Sequence, residues 1–168
     1  MNLFWCGKHV KSRICEIGFN AGHSALLFLL GKEKTAIDFT IFDIGHHPYT
    51  KRCLEYLGCK FDNVQFEYIE GDSTATMEEW IEKNKMCIGT YDLIHVDGGH
   101  SEYCIINDMK NADILVKING ILIIDDTYHT HINRQVESYL SRGNYKELTV
   151  LNSGKYSHRI IKKLNNIK

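Results

Sequence analysis

Short apolar runs alternate along the chain with segments whose apolar positions recur every three or four residues. Runs at 13–17, 38–43, 64–69, 92–97 and 120–125 read as strands. They are nearly continuous in apolar and β-branched residues, as expected for a parallel sheet covered on both faces. Helices are expected between them at 22–31, 48–58, 73–84 and 101–117, with another at 131–142. Cys53, Leu54 and Leu57 mark the inward stripe of the second helix, and Tyr103, Ile106 and Ile114 that of the fourth. Strands at 146–151 and 157–162, joined by the polar stretch NSGKY, suit a hairpin. Five βα units and a closing antiparallel hairpin predict an α/β fold, an open, Rossmann-like, seven-stranded and mostly parallel sheet with helices on both faces. The 168 residues are expected to form one domain, with 162–168 a frayed basic tail.

Such sheets bind ligands beyond the carboxyl ends of their strands. Those ends carry Glu16, Asp43, Asp72, Asp97 and the pair Asp125–Asp126. Any single one of these acids has an alternative use as a helix cap, and Asp72, Ser73 and Ser101 are natural N-caps. Six acids at one edge would repel a pyrophosphate and favour a cationic cofactor, a metal ion or both. The glycine loop GFNAG also lacks the G-x-G-x-x-G spacing, which disfavours a nicotinamide-dependent oxidoreductase.

Composition narrows the setting. A net charge of −1, with no basic stripe or aromatic platform, gives no reason to expect a nucleic-acid partner. No apolar run reaches transmembrane length and MNLFWCGKHV does not read as a signal peptide, so no membrane partner is expected. Six scattered cysteines without a CxxC pair suit reduced thiols and a cytoplasmic location.

EIGFNAGHS resembles the first motif of class I S-adenosylmethionine-dependent methyltransferases, FTIFDIG the second and IEGDS the third. YDLIHVDGGHSEY with GILIIDDT resembles the small-molecule and sugar O-methyltransferases of that fold. The resemblance covers about 13–127, with the hairpin in the place of the last two strands. It implies S-adenosyl-L-methionine as cofactor. Gly18 and Gly22 would let the backbone pass close to its methionine part, with Asn20 and Ala21 in the turn. Glu16 would tether the loop or orient the ammonium through a water, Asp43 would accept the ribose hydroxyls, and Asp72 and Ser73 would bond the adenine. Asp97 would face both the cofactor and the reacting centre.

Asp97, Asp125 and Asp126 are three hard oxygen donors, which suit Mg²⁺ or another divalent cation. They are similar to the metal ligands of catechol-type O-methyltransferases, with Asp126 where those carry Asp or Asn. His100 stands where those relatives carry a catalytic lysine and is the candidate general base, with His129 and His131 as rivals. His95, within an apolar strand, is expected to be a satisfied core histidine. His23 should start the first helix, and His46 and His47 should line the adenosine edge or face solvent. With about a dozen residues before the first strand, the site is expected to be open, or completed by a second subunit of a homo-oligomer. An open site suits a bulky acceptor such as a glycan. Methyl transfer to nitrogen, transfer without metal, and a non-catalytic cofactor-binding subunit are the alternatives.

Overall fold

The computed structural model describes residues 2–32, 35–149 and 158–165. Seven strands form a single sheet: β1 (Arg13–Ile17), β2 (Ile37–Asp43), β3 (Val64–Glu70), β4 (Tyr91–Val96), β5 (Val116–Ile124), β6 (Tyr145–Glu147) and β7 (Arg159–Lys163). Their order is β3-β2-β1-β4-β5-β7-β6, with β7 antiparallel to both of its neighbours. Helices α1 (Asn2–His9), α2 (His23–Leu30) and α3 (Thr50–Lys60) cover one face; α4 (Ser73–Lys83), α5 (Glu102–Leu115) and α6 (Thr130–Ser141) cover the other. Alternation along the strands divides the core accordingly. Ile14, Leu93 and Ile123 pack with Cys6 and Phe28, whereas Ile17, Val96 and Ile124 pack with Met77 and Met109. β1 and β4 are parallel neighbours at which the order of strand addition reverses, the switch point where such sheets take ligands.

The first five strands lie close to their expected places; the runs of β1, β2, β4 and the second half of β5 are buried on both faces, and β3, at the sheet edge, is only partly covered. Four differences have physical causes. Helix α1 was not anticipated: it is only eight residues long and carries Gly7. That glycine allows a close approach to α2, for a Cβ there would lie 2.2 Å from the carbonyl oxygen of Phe28. The inward stripe of α5 is Ile105, Met109, Ala112 and Leu115, and the expected stripe is displaced, with Tyr103 and Ile106 exposed. α5 ends at Leu115, where the chain passes directly into β5; a left-handed Asn119 accompanies the register shift there. The hairpin pairs as expected, but its NSGKY turn lies outside the described residues. β7 also takes in Lys162 and Lys163 from the expected tail, and Lys163 is buried with its ammonium 2.9 Å from Asp113. No helix among the described residues is long and apolar enough to cross a membrane.

Candidate active site

The carboxyl ends of β1, β2 and β4 open onto a cleft of about 390 Å³. Gly18, Asn20, Asp43, Asp72, Ser73, Asp97, His100 and Asp126 line it, together with His47. Glu16, Ala21, Gly22 and Asp125 do not.

The loop after β1 runs through three left-handed residues, Gly18 (φ 87°), Asn20 (φ 52°) and Gly22 (φ 74°). At Gly18 a side chain is excluded twice over: the backbone is left-handed, and a Cβ would fall 1.9 Å from the carbonyl oxygen of Asp97. Loops of this kind aim successive N–H groups at an anion. Here the anion is internal. Asp43 Oδ2 accepts the N–H groups of Phe19 and Asn20, both at 2.8 Å, and its Oδ1 accepts that of Gly45 at 2.8 Å. The chain's own carboxylate thus occupies the amides that a dinucleotide-binding loop would offer to a phosphate. Sequence reading gave Asp43 a ribose and missed this strut, whose signal was only an acid at the second strand end. Asn20 also holds Tyr49, accepting its hydroxyl at 2.7 Å.

Asp72 caps α4, accepting the N–H and hydroxyl of Thr74, and these bonds hold its carboxyl below the usual range. Ser101 caps α5 by accepting the N–H of Cys104 at 3.1 Å, which fixes the direction of the DGGH loop. Beneath that loop lies Asp108, fully buried. Burial pushes its carboxyl up to about 6, against the pull of Ser73, whose hydroxyl is near it but not in bonding geometry.

Glu16 is wholly buried. Parallel pairing of β1 with β4 sets it beside His95, whose Nδ1–H donates to Glu16 Oε1 at 2.9 Å; the Ser24 hydroxyl, at the start of α2, donates to the same oxygen. Glu16 therefore ties the loop and α2 to the sheet. His95 is not the satisfied core histidine expected: its Nε2 has no hydrogen-bond partner, and neither does Glu16 Oε2. One residue further along each strand face stand Asp97 and Asp125. Burial opposes a charged His95, but Glu16, Asp97 and Asp125 outweigh it and raise its pKa. Asp97 is pushed up to about 7, mainly by burial and then by Asp125, Glu16 and Asp126, with His95 pulling the other way.

The adjacent acids after β5 part company. Asp125 Oδ1 accepts the N–H of Asp126 at 2.8 Å, and Asp126 itself is left-handed (φ 53°). That turn swings Asp126 to the DGGH loop, where its Oδ2 lies 2.6 Å from His100 Nε2. His131 Nε2 donates to the carbonyl of His100 at 2.7 Å, and His129 lies between the two rings. Two sets of three candidate ligands have atoms within 4.8 Å of one another: His95, Asp97 and Asp125, and Asp97, His100 and Asp126. The three aspartates expected to act together are not such a set; Asp97 is shared and the other two separate. The orphaned His95 Nε2 and the crowded carboxylates suit a divalent cation.

A family model described as a methyltransferase domain matches residues 15–127. The chain is 26% identical over 130 residues to the O-methyltransferase ankF of Aspergillus thermomutatus. That match covers 77% of this chain and 51% of the relative, so the chain spans about half that protein's length. Among solved structures it resembles CalS11, a TDP-rhamnose 3'-O-methyltransferase of calicheamicin biosynthesis (TM-score 0.72, 16% identity, 96% of this chain and 75% of that one). It also resembles the methyltransferase PaMTH1 of Podospora anserina with bound S-adenosylhomocysteine (TM-score 0.64, 18% identity, 97% and 76%). At these identities the structural likeness establishes the fold.

Proposed function

Because the chain belongs to the methyltransferase domain family, we propose that it transfers a methyl group from S-adenosyl-L-methionine to a hydroxyl of a small-molecule acceptor, a sugar or another vicinal diol, with a divalent cation assisting. The observation that carries this reading is the His100–Asp126 pair, 2.6 Å apart, at one end of a cleft whose other end is formed by Asp43 and Asp72. CalS11, by its description a sugar O-methyltransferase, supports the acceptor class.

The loop amides held by Asp43 leave that residue's Oδ1 with capacity for a ribose hydroxyl, and Ser73 stands where an adenine edge would reach it. When bound, S-adenosyl-L-methionine supplies an electrophilic methyl carbon on a sulfonium, and the acid rim suits that charge. The acceptor oxygen forms the new bond to carbon as the carbon–sulfur bond breaks, and its proton must leave. With Nε2–H directed at Asp126, His100 presents the lone pair of Nδ1 to that proton, and Asp126 stabilises the imidazolium that results. Such a base is worth roughly 10²–10⁴ in rate. Asp97, with one of the two acids after β5, would hold the cation, which would bring two neighbouring hydroxyls together and lower the pKa of one. His131 is committed to the His100 carbonyl, which makes it a support for the base rather than its rival.

The short His100–Asp126 contact also favours a second reading, transfer without metal, in which this pair alone takes the proton. The test is S-adenosylhomocysteine titration by calorimetry, followed by methyl transfer to a panel of sugar diols with Mg²⁺ and with a chelator. Binding, with diol methylation lost in His100→Ala, supports the reading, and chelator-resistant turnover selects the metal-free form. No binding of S-adenosylhomocysteine would overturn it.

A further inference from the structure

The buried pair behind the cleft has the anatomy of a metal ligand with its support. Protein imidazoles that bind metal commonly donate the other ring N–H to a carboxylate, which fixes tautomer and orientation. His95 does this: Nδ1–H donates to Glu16 Oε1, so Nε2 carries the lone pair. Glu16 is in turn fixed by the Ser24 hydroxyl. The imidazole is 1% exposed, is held edge-on by Phe28 at 5.5 Å between ring centroids, and has no partner at Nε2. A buried polar nitrogen left so is costly unless something binds it.

What faces it is chemically specific. His95 pairs in register with Ile123 of β5, so the next outward positions on that sheet face are Asp97 and Asp125. Ligand atoms of all three residues lie within 4.8 Å of one another. Three atoms sharing one ion at about 2.1 Å lie up to about 3.6 Å from one another, so the three side chains need to close by no more than about an ångström. Asp125 Oδ1 holds the Asp126 N–H, which leaves Oδ2 for the ion.

We propose that His95, Asp97 and Asp125 bind a divalent transition-metal ion, with Glu16 as the residue that positions His95, and that Asp126 is left to His100. This rests on the metal-assisted reading above and changes both its ligand set and its metal. An imidazole nitrogen with two carboxylates favours Mn²⁺, Co²⁺ or Zn²⁺ over Mg²⁺, which prefers an all-oxygen shell. The remaining positions would go to water or to the acceptor's hydroxyls. It also explains the buried Glu16, which the sequence placed at the cofactor.

The test uses the full chain, with and without S-adenosylhomocysteine. Co²⁺ is followed by its visible absorption and Mg²⁺ by calorimetry, and the histidine ring nitrogens are followed by NMR as Zn²⁺ is added. Co²⁺ should bind at least tenfold more tightly than Mg²⁺, and the His95 Nε2 resonance should shift with Zn²⁺. His95→Gln should lose at least tenfold in Co²⁺ affinity, and Glu16→Gln about 10–100-fold. The ring spectrum of the unsubstituted protein needs no variant, so the proposal stays testable if either replacement misfolds. An unmoved His95 resonance, or Co²⁺ affinity no better than that of Mg²⁺, overturns it. If S-adenosylhomocysteine binds and no metal does, the proposal falls while methyl transfer stands. If the cofactor product does not bind, methyl transfer falls and the His95 resonance still decides the metal.

Discussion

Replacing Asp43 by alanine separates two roles that a ribose ligand would not combine. Its carboxylate is 7% exposed and accepts the N–H groups of Phe19, Asn20 and Gly45, each at 2.8 Å. The Phe19 donor is buried, whereas those of Asn20 and Gly45 are partly buried and can recover water. Stranding a buried donor costs about 1–3 kcal/mol, and losing each wetter, charge-assisted bond about 1 kcal/mol, for a total of about 3–5 kcal/mol. The loop should also relax from its left-handed path, so S-adenosylhomocysteine binding should collapse together with stability. Urea denaturation gives the first quantity and calorimetry the second. Asp43→Asn keeps one oxygen for Phe19 and Asn20 and should lose less than half as much stability. Asp92, at the opposite end of the sheet, provides the control. Its Oδ2 accepts three backbone N–H groups, from Lys11, Ser12 and Arg13. Asp92→Ala should therefore destabilise comparably, yet leave the affinity of the folded fraction unchanged. A loss below about 0.5 kcal/mol in Asp43→Ala, with affinity abolished, would refute the strut and return Asp43 to a purely ligand-binding role.

The remaining predictions concern the loops around the cleft. Asp108 keeps its proton up to about pH 6 when folded but only to its ordinary value of 3.8 when unfolded, so it weakens the fold as pH rises across that interval. Asp108→Asn should be more stable than the parent by up to about 3 kcal/mol at pH 8 and equal to it at pH 4, read from denaturation midpoints at both pH values. Gly18→Ala must displace the Asp97 carbonyl from 1.9 Å and hold alanine at φ 87°. It should lose about 2–4 kcal/mol and all measurable S-adenosylhomocysteine binding, and retained affinity would contradict the packing. His131→Phe removes the donor to the His100 carbonyl from an exposed site. Turnover should fall several-fold with the melting temperature lowered by no more than about 4 °C, because one exposed hydrogen bond contributes about 1 kcal/mol or less.

Strand positions, the mostly parallel character of the sheet and the acids at the strand ends could be read from the chain, because each follows from local periodicity and from the rule that ligands meet strand ends. The caps Asp72 and Ser101 were legible for the same local reason. The partner of each acid was not. Glu16 meets His95, 79 positions away, only because β1 and β4 pair in one register; a shift of one residue would turn either side chain to the other face. Asp125 and Asp126, neighbours in sequence, serve different clusters because a single left-handed turn separates their directions. The helix α1 escaped the pattern because its eight residues are held by a close backbone approach at Gly7, which no periodicity records. The sequence by itself determined which groups stand at the site's edge; strand register and two or three backbone turns decided which of them touch, because hydrogen bonds and ion pairs depend on distances of a few ångströms that only the folded sheet sets.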